Sequence, residues 1–345
     1  MSPVNVAIVG AGRMGLTHYA IINAHPDVRV CAVVEPSLPL RTVLGKHVEA
    51  PMFADFTAML KACEPDALLV STPPASHVAI LTEGLNRGLH AFVEKPCTTA
   101  AVDARRLAER YDTGGLIHQV GYVNRFNDVF HECRRLVAGG IIGKVVRYKT
   151  EMLSRTVTSG NTSSGWRQTR QAGGGVTYEM ATHAINLAAF IFGLPSRVGG
   201  SQLTKVFSTA VEDIVSTTLM HPSGLSGSLF VNWSDESVRK PTNTVELLGT
   251  EGKLIVNQHG LQIYRTHASE AFRLAAGWTT KYITELATPV PFYVRGNEYT
   301  RQLWHFIARI RDRSVPSVCS MHDAADTLAV IEQIFSDASA SDDIT

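Results

Sequence analysis

The stretch Val4-Asn5-Val6-Ala7-Ile8-Val9-Gly10-Ala11-Gly12-Arg13-Met14-Gly15 constrains this chain more than any other part of it. A short apolar run breaks into Gly-x-Gly-x-x-Gly and then opens a helical pattern from Met14 to Ala24. Alone, a glycine fingerprint is a weak signal. Here a second apolar run, Val28 to Val34, follows the helix and ends at Glu35, some 20 residues after Gly15. That is the spacing of an acid that holds an adenosine ribose in a dinucleotide-binding βαβ unit. Gly10 is expected to permit the turn, Gly12 to let a pyrophosphate approach the backbone, and Gly15 to let helix and sheet pack closely. With Arg13 and Met14 these residues form the expected cofactor loop, and the helix N-terminus offers free N–H groups to phosphate. Glu35 would repel a 2′-phosphate, so NAD is expected rather than NADP.

The chain has 345 residues, enough for two domains. The 32 Lys and Arg against 31 Asp and Glu leave a net charge of +1, with no basic stripe, which speaks against a nucleic-acid partner. No apolar stretch reaches membrane-spanning length. The N-terminus runs into the first strand within a few residues, so no signal peptide is expected. The five cysteines (Cys31, Cys63, Cys97, Cys133, Cys319) are scattered, with no Cys-x-x-Cys. They read as reduced thiols of a cytoplasmic protein, neither disulfides nor a zinc site.

Over the first ~120 residues strand and helix signals alternate, the pattern of a parallel, doubly wound sheet. The character changes near Asn124. A strand pattern at 144–153 is followed by a polar loop from Ser154 to Gly165, a Gly173–Gly175 triplet, and a long helix to Phe192. Six further strand-like runs separated by turns imply a large, mainly antiparallel open sheet. The expected division is a dinucleotide-binding domain over 1–122 and a substrate-binding and oligomerisation domain over 123–345, whose C-terminal helix can pack back on the first domain. The long helix covers one face of the sheet. The other face is left for a second copy, in a homodimer or homotetramer.

In a doubly wound sheet ligands sit beyond the carboxyl ends of the strands. This brings the glycine loop together with Ser71-Thr72-Pro73 and its neighbour His77, and with Glu94-Lys95-Pro96. Lys95 can donate a hydrogen bond to a substrate oxygen and stabilise developing negative charge. In the later helix Glu179 and His183 are four apart and Asn186 three further on, which on a regular helix places them on one face. A carboxylate one turn from an imidazole can fix its tautomer and raise its basicity. No third ligand at a telling spacing points to a metal. Before that helix, Arg155, Trp166, Arg167 and Arg170 could reach a substrate. Arginine suits carboxylate or phosphate and tryptophan a sugar face, which hints at an acidic or nucleotide-linked sugar. Tyr122 and Arg125 are further candidates to line the cleft.

Taken in order, Gly10–Gly15, Thr72-Pro73-Pro74 with His77, Glu94-Lys95-Pro96, Gly121-Tyr122 with Arg125-Phe126, and the glycine triplet with Glu179, His183 and Asn186 resemble the glucose–fructose oxidoreductase / inositol dehydrogenase (Gfo/Idh/MocA) family. The resemblance implies a Rossmann domain followed by an α+β domain with a large open sheet. It also implies hydride transfer between nicotinamide and a secondary alcohol of a sugar or cyclitol. It assigns the family's lysine to Lys95 and its catalytic histidine to His183, oriented by Glu179, with Asn186 touching a neighbouring hydroxyl. Where the family usually has Asp, Gly and Asp, this chain has Glu179, Ala181 and Asn186. A cofactor-sensing regulator without turnover is the competing reading. Such a protein is expected to lose the lysine or the histidine, and both are present.

Overall fold

The computed structural model describes residues 2–160 and 165–342. Part of the expected polar loop, 161–164, lies outside the described residues. The chain forms two compact units, residues 1–123 with 289–325, and residues 124–288 with 326–345.

The first unit is built on mainly apolar strands. These are β1 (Val4–Val9), β2 (Val28–Val34), β3 (Met52–Phe53), β4 (Ala67–Val70), β5 (His90–Val93) and β6 (His118–Val120). They form one sheet in the order β3-β2-β1-β4-β5-β6. Every neighbouring pair runs parallel. A parallel sheet covered on both faces demands such continuous Val, Ile and Leu runs, and all four residues of β4 are buried. The connecting helices are α1 (Arg13–Asn23), α2 (Leu38–Leu44), α3 (Phe56–Ala62), α4 (His77–Asn86) and α5 (Ala101–Thr113). The strand order reverses between β1 and β4, the switch point at which a doubly wound sheet opens a crevice.

A single cut at residue 122 misses one feature of this unit. Residues 289–325 pack within it. Leu303, Phe306 and Ile307 join Val6, Ile8 and Ile21 in one buried cluster. The amphipathic pattern of α9 (Asn297–Arg311, numbered in chain order with the elements below) supplies that face. Burial of such side chains stabilises the unit by about 1.5–3 kcal/mol each.

The second unit carries α6 (Asp128–Ala138), β7 (Val145–Leu153), α7 (Thr182–Phe192) and seven further strands. These are β8 (Arg197–Thr204), β9 (Ile214–Met220), β10 (Ser226–Asn232), β11 (Thr242–Gly249), β12 (Gly252–Asn257), β13 (Gly260–Arg265) and β14 (Gly277–Tyr282), followed by α8 (Ile283–Leu286). The eight strands run β14-β13-β12-β11-β7-β10-β9-β8. All pairs are antiparallel except β7 with β10. Burial alternates along β10 and β12, and along β11 as far as Leu247. One face therefore forms a core, and α6 and α7 lie against this sheet. The other face stays partly open and bears the ion pairs Lys149–Glu151 and Lys253–Glu246, each at 2.9 Å. Among the described residues no helix is long and apolar enough to cross a membrane. The last helix, α10, spans Met321–Asp342.

Candidate active site

The glycine loop is shaped by steric demands that can be read residue by residue. Gly10 has φ +94°, and a Cβ there would lie 2.8 Å from the Ser71 carbonyl oxygen. At Gly15 a Cβ would lie 1.9 Å from the carbonyl oxygen of Gly10. Gly15 thus lets α1 lie directly against the turn that leaves β1. A Cβ on Gly12 would meet nothing within 4 Å, so open space lies over that backbone. Gly12 caps α1 without a side-chain bond, and no acid stands in the helix's first turn. The free N–H groups and the positive end of the helix dipole therefore face outward, the arrangement that receives phosphate. Beside them the buried Ser71 hydroxyl has no hydrogen-bond partner. An orphaned polar group of this kind is a natural ligand contact.

Glu35 is 8% exposed and held from both sides. Its Oε2 accepts the Ala11 N–H at 3.0 Å and its Oε1 the Ser37 N–H at 2.9 Å. Each oxygen keeps a lone pair for a ribose hydroxyl. The loop, the unpartnered hydroxyl and this carboxylate fit a dinucleotide. Arg295, which the sequence reading missed, points Nη1 at the Met14 sulfur at 3.1 Å and lies over the Tyr299 ring. Thr72 and Pro73 line the next strand end, where Thr72 Oγ1 accepts the Ser76 hydroxyl at 2.7 Å.

His77 does not join this surface. It is fully buried, with Nε2 2.8 Å from the Thr72 carbonyl and Nδ1 3.2 and 3.1 Å from those of Pro96 and Cys97. Burial drives its pKa down against the pull of these carbonyls. His77 ties the Thr72 loop to the Pro96 loop, which corrects its expected contact with the cofactor.

Lys95 follows β5 at the same edge and is partly exposed. Its backbone N–H donates to Glu94 Oε2 at 3.2 Å, while Glu94 Oε1 meets His18 Nε2 at 2.8 Å. Burial pushes the Glu94 carboxyl up, but the bond and charge of His18, with Lys95, hold it below its usual range. His18 lies 76 residues from Glu94 and carries no motif, so nothing local announced it.

In the second unit the histidine helix begins irregularly. Thr177–Ala181 is a π-helical segment that runs into α7. The expectation of one shared face for three residues fails at Asn186, which is buried while Glu179 and His183 are not. Between Gly173 and Ala188 only Glu179 and His183 are not buried. Asn186 is 1% exposed. It accepts from Arg125 Nε at 2.7 Å and donates to Thr327 Oγ1 at 2.9 Å. Arg125 is 6% and Tyr122 1% exposed. All three side chains are thus largely withdrawn from solvent where contact with substrate was expected.

The glycine triplet lets the preceding loop pack on the helix start. A Cβ on Gly174 would lie 2.3 Å from the Arg167 carbonyl oxygen, and one on Gly175 (φ +95°) would lie 2.4 Å from Glu212 Oε1. Buried Glu212 anchors this junction. It accepts the Thr177 N–H at 3.1 Å and pairs with Arg170 at 3.0 Å. Arg170 also covers the Phe335 ring, so it is committed to packing. Arg167 lies over Trp166 and places Nη2 3.7 Å from Glu179 Oε1. Arg167 thus reaches Glu179 with Trp166 stacked against it, whereas exposed Arg155 pairs with Ser234 through the backbone.

Among the described residues, one group outside these sites has metal-ligand chemistry. Asp112, His118 and His322 bring three ligand atoms within 4.8 Å. His118 Nδ1 accepts the Met321 N–H at 3.0 Å, so its proton sits on Nε2 and is donated to Asp112 at 2.9 Å. That leaves no lone pair on His118 toward the group. Asp112 also meets His322 Nε2 at 2.7 Å. The cluster is a hydrogen-bonded brace for the start of α10.

Residues 4–122 match the model of the oxidoreductase family with an NAD-binding Rossmann fold, and residues 130–255 match the GFO/IDH/MocA C-terminal domain. The chain is 24% identical over 335 residues to scyllo-inositol 2-dehydrogenase (NAD(+)) of Bacillus subtilis, an alignment covering 95% of this chain and 92% of that protein. It is 23% identical over 202 residues to an oxidoreductase of Schizosaccharomyces pombe, covering 57% of this chain and about half, 54%, of that relative's length. Levoglucosan dehydrogenase in complex with NADH and levoglucosan superimposes with a TM-score of 0.84 at 20% identity, covering 98% of each chain. That likeness is one of fold. With both halves matched, this chain belongs to the GFO/IDH/MocA oxidoreductase family and carries its NAD-binding Rossmann domain.

Proposed function

We propose that the protein is an NAD-dependent dehydrogenase acting on a secondary alcohol of a neutral sugar or cyclitol. The observation that carries this reading is that, from Gly173 to Ala188, the otherwise buried chain opens only at an acid and an imidazole, Glu179 and His183. When bound, NAD supplies the hydride acceptor. In the proposed roles His183 takes the hydroxyl proton, and Lys95 donates a hydrogen bond to the oxygen as negative charge develops on it. Glu179 orients His183 in this reading. Trp166 offers an apolar face to a sugar ring.

The arginines argue for a neutral substrate. Arg167 faces Glu179 and Arg170 faces Glu212, so two of the three guanidiniums that suggested an acidic or nucleotide-linked sugar are balanced by carboxylates. Relatives named for scyllo-inositol and levoglucosan support the polyol class. A homo-oligomer formed through the open face of the eight-stranded sheet is part of the proposal. So is a cytoplasmic location, which suits five free thiols.

The test is a screen of inositols, free and anhydro sugars, uronic acids and nucleotide sugars, following NADH fluorescence. A neutral polyol should give turnover. His183→Ala should lower kcat by about 10²–10⁴-fold while NADH still binds. Turnover restricted to nucleotide sugars would overturn the substrate class, and undiminished turnover in His183→Ala would overturn the role of the histidine. NADH binding without turnover of any class would favour a cofactor sensor.

A further inference from the structure

We infer that His18 is a positioning residue for Lys95, acting through Glu94. This rests on the reading of Lys95 as the group that meets the substrate oxygen. His18 projects from the buried side of α1, the helix that opens with the glycine loop, and its side chain is fully buried. Its edge packs on Phe92 of β5, with ring centroids 5.2 Å apart. Its Nε2 meets Glu94 Oε1 at 2.8 Å. The other carboxylate oxygen, Oε2, accepts the backbone N–H of Lys95 at 3.2 Å. The carboxylate passes so close under Gly121 that a Cβ there would sit 3.0 Å from Oε1. Glu94 is therefore fixed by a side-chain bond, a backbone bond and a glycine that makes room for it.

The arrangement solves a chemical problem. A carboxylate one residue from a lysine that must donate to substrate is a competing partner for that ammonium. An unrestrained glutamate could turn onto Lys95 Nζ and take the donor away. His18 holds one oxygen and the Lys95 peptide N–H the other, so the carboxylate is spent within the first unit. The same bond ties α1 to the end of β5. Cofactor grip and lysine position are thereby set by one rigid body, and small misplacement of such a group is costly to rate.

The experiment is a double-mutant cycle in the full-length protein. The variants are His18→Leu, Lys95→Met and both together, assayed with the polyol identified by the screen, alongside NADH binding by fluorescence titration. His18→Gln is the conservative variant, because its amide can still donate to Glu94. In His18→Leu, kcat should fall about tenfold or more, while KM for the polyol and the NADH dissociation constant stay within about threefold. His18→Gln should recover most of kcat. The double variant should be no slower than Lys95→Met alone, since His18 has nothing left to position. A readout independent of turnover is the ¹³C-dimethyl-lysine NMR signal of Lys95, assigned by its loss in Lys95→Met, which should move in His18→Leu and return in His18→Gln. If Lys95→Met is slow but the His18 loss adds to it in full, or the lysine signal stays in place, the positioning role is overturned and the lysine reading stands. If Lys95→Met is fully active, the lysine reading itself falls. Should His18→Leu not fold, His18→Gln and His18→Asn carry the same cycle, since asparagine is too short to reach the carboxylate.

Discussion

Glu35 Oε2 accepts the backbone N–H of Ala11 at 3.0 Å, so the acid at the end of β2 braces the turn that opens the cofactor loop. One side chain thus does two things. It shapes the loop and offers its remaining lone pairs where a ribose hydroxyl is expected, while its charge opposes a 2′-phosphate. Replacing it with serine removes the repulsion together with the brace. Glu35→Ser should weaken NADH binding by about tenfold and shift the NADPH-to-NADH affinity ratio toward NADPH by at least about tenfold. Fluorescence titration with both nucleotides checks this, and an unchanged ratio would remove Glu35 as the discriminating residue.

Gly12 and Gly15 should part company under the same substitution. Gly12→Ala places a methyl group in open space, so the fold should tolerate it, whereas a pyrophosphate approaching that backbone would be blocked. Its melting temperature should stay within about 2 °C of the parent while NADH affinity falls by more than about tenfold. Gly15→Ala drives a Cβ to 1.9 Å from the Gly10 carbonyl oxygen. Stability and binding should fall together in that variant, as thermal unfolding with and without NADH would report. Equal melting temperatures for the two variants would contradict the division.

The first unit was legible because its signals are local. β1, the glycine turn and α1 are adjacent in sequence, and continuous apolar strands with intervening helices specify a parallel sheet. What escaped is what depends on distant partners. A C-terminal helix was expected to be able to pack back on the first domain, but which residues do so shows only where Leu303, Phe306 and Ile307 meet Val6 and Ile8. β14 was missed because Gly277–Tyr282 is an edge strand, exposed at every second residue and never fully buried. The π-helical segment was missed because periodicity arguments assume 3.6 residues per turn. Asn186 keeps its regular spacing from His183 within α7, but tertiary packing buries it against Arg125 and Thr327, which the helix pattern does not announce. His18 and Glu212 were invisible for a related reason. Each acts on a residue 76 or 35 positions away, across elements that only the fold brings together.

Asp213 predicts how the second unit responds to acid. Its Oδ2 accepts the backbone N–H groups of Val206, Phe207 and Ser208 at 2.6–2.8 Å, and Oδ1 accepts Ser208 Oγ and the Trp233 indole N–H. Burial pushes the carboxyl up, but these donors overcome it and hold its pKa below the usual aspartate range. A group whose folded pKa is depressed contributes stability above its unfolded pKa, about 4, and that contribution is lost as pH falls through the folded value. Urea unfolding should therefore show stability declining below about pH 4. Asp213→Asn should cost about 3 kcal/mol at pH 7, because an amide must turn an N–H group toward backbone donors, and it should flatten the acid limb. A variant as stable as the parent at pH 7 would refute the assignment.

The open face of the eight-stranded sheet yields the last prediction. Trp278 and Tyr282 on β14 are 57% and 60% exposed, and Leu248 on β11 is 51% exposed. Tyr264 on β13 lies opposite Trp278, with ring centroids 5.3 Å apart. Interspersed with the Lys149–Glu151 and Lys253–Glu246 pairs, these side chains give the face both apolar area and charges of both signs. A twofold-related copy can match such a surface, because each positive site then meets a negative one and the aromatic groups leave water together. Light scattering at micromolar concentration should give a dimer or tetramer. Trp278→Glu inserts an unpaired charge into that interface and should shift the species toward monomer. It should leave the strand itself in place, since Trp278 is largely exposed and its ring meets the half-exposed Tyr264. A parent protein that scatters as a monomer would remove the second copy from this face. A Trp278→Glu variant that unfolds at a lower temperature yet stays oligomeric would instead make the aromatic pair a stabilising element of the sheet edge.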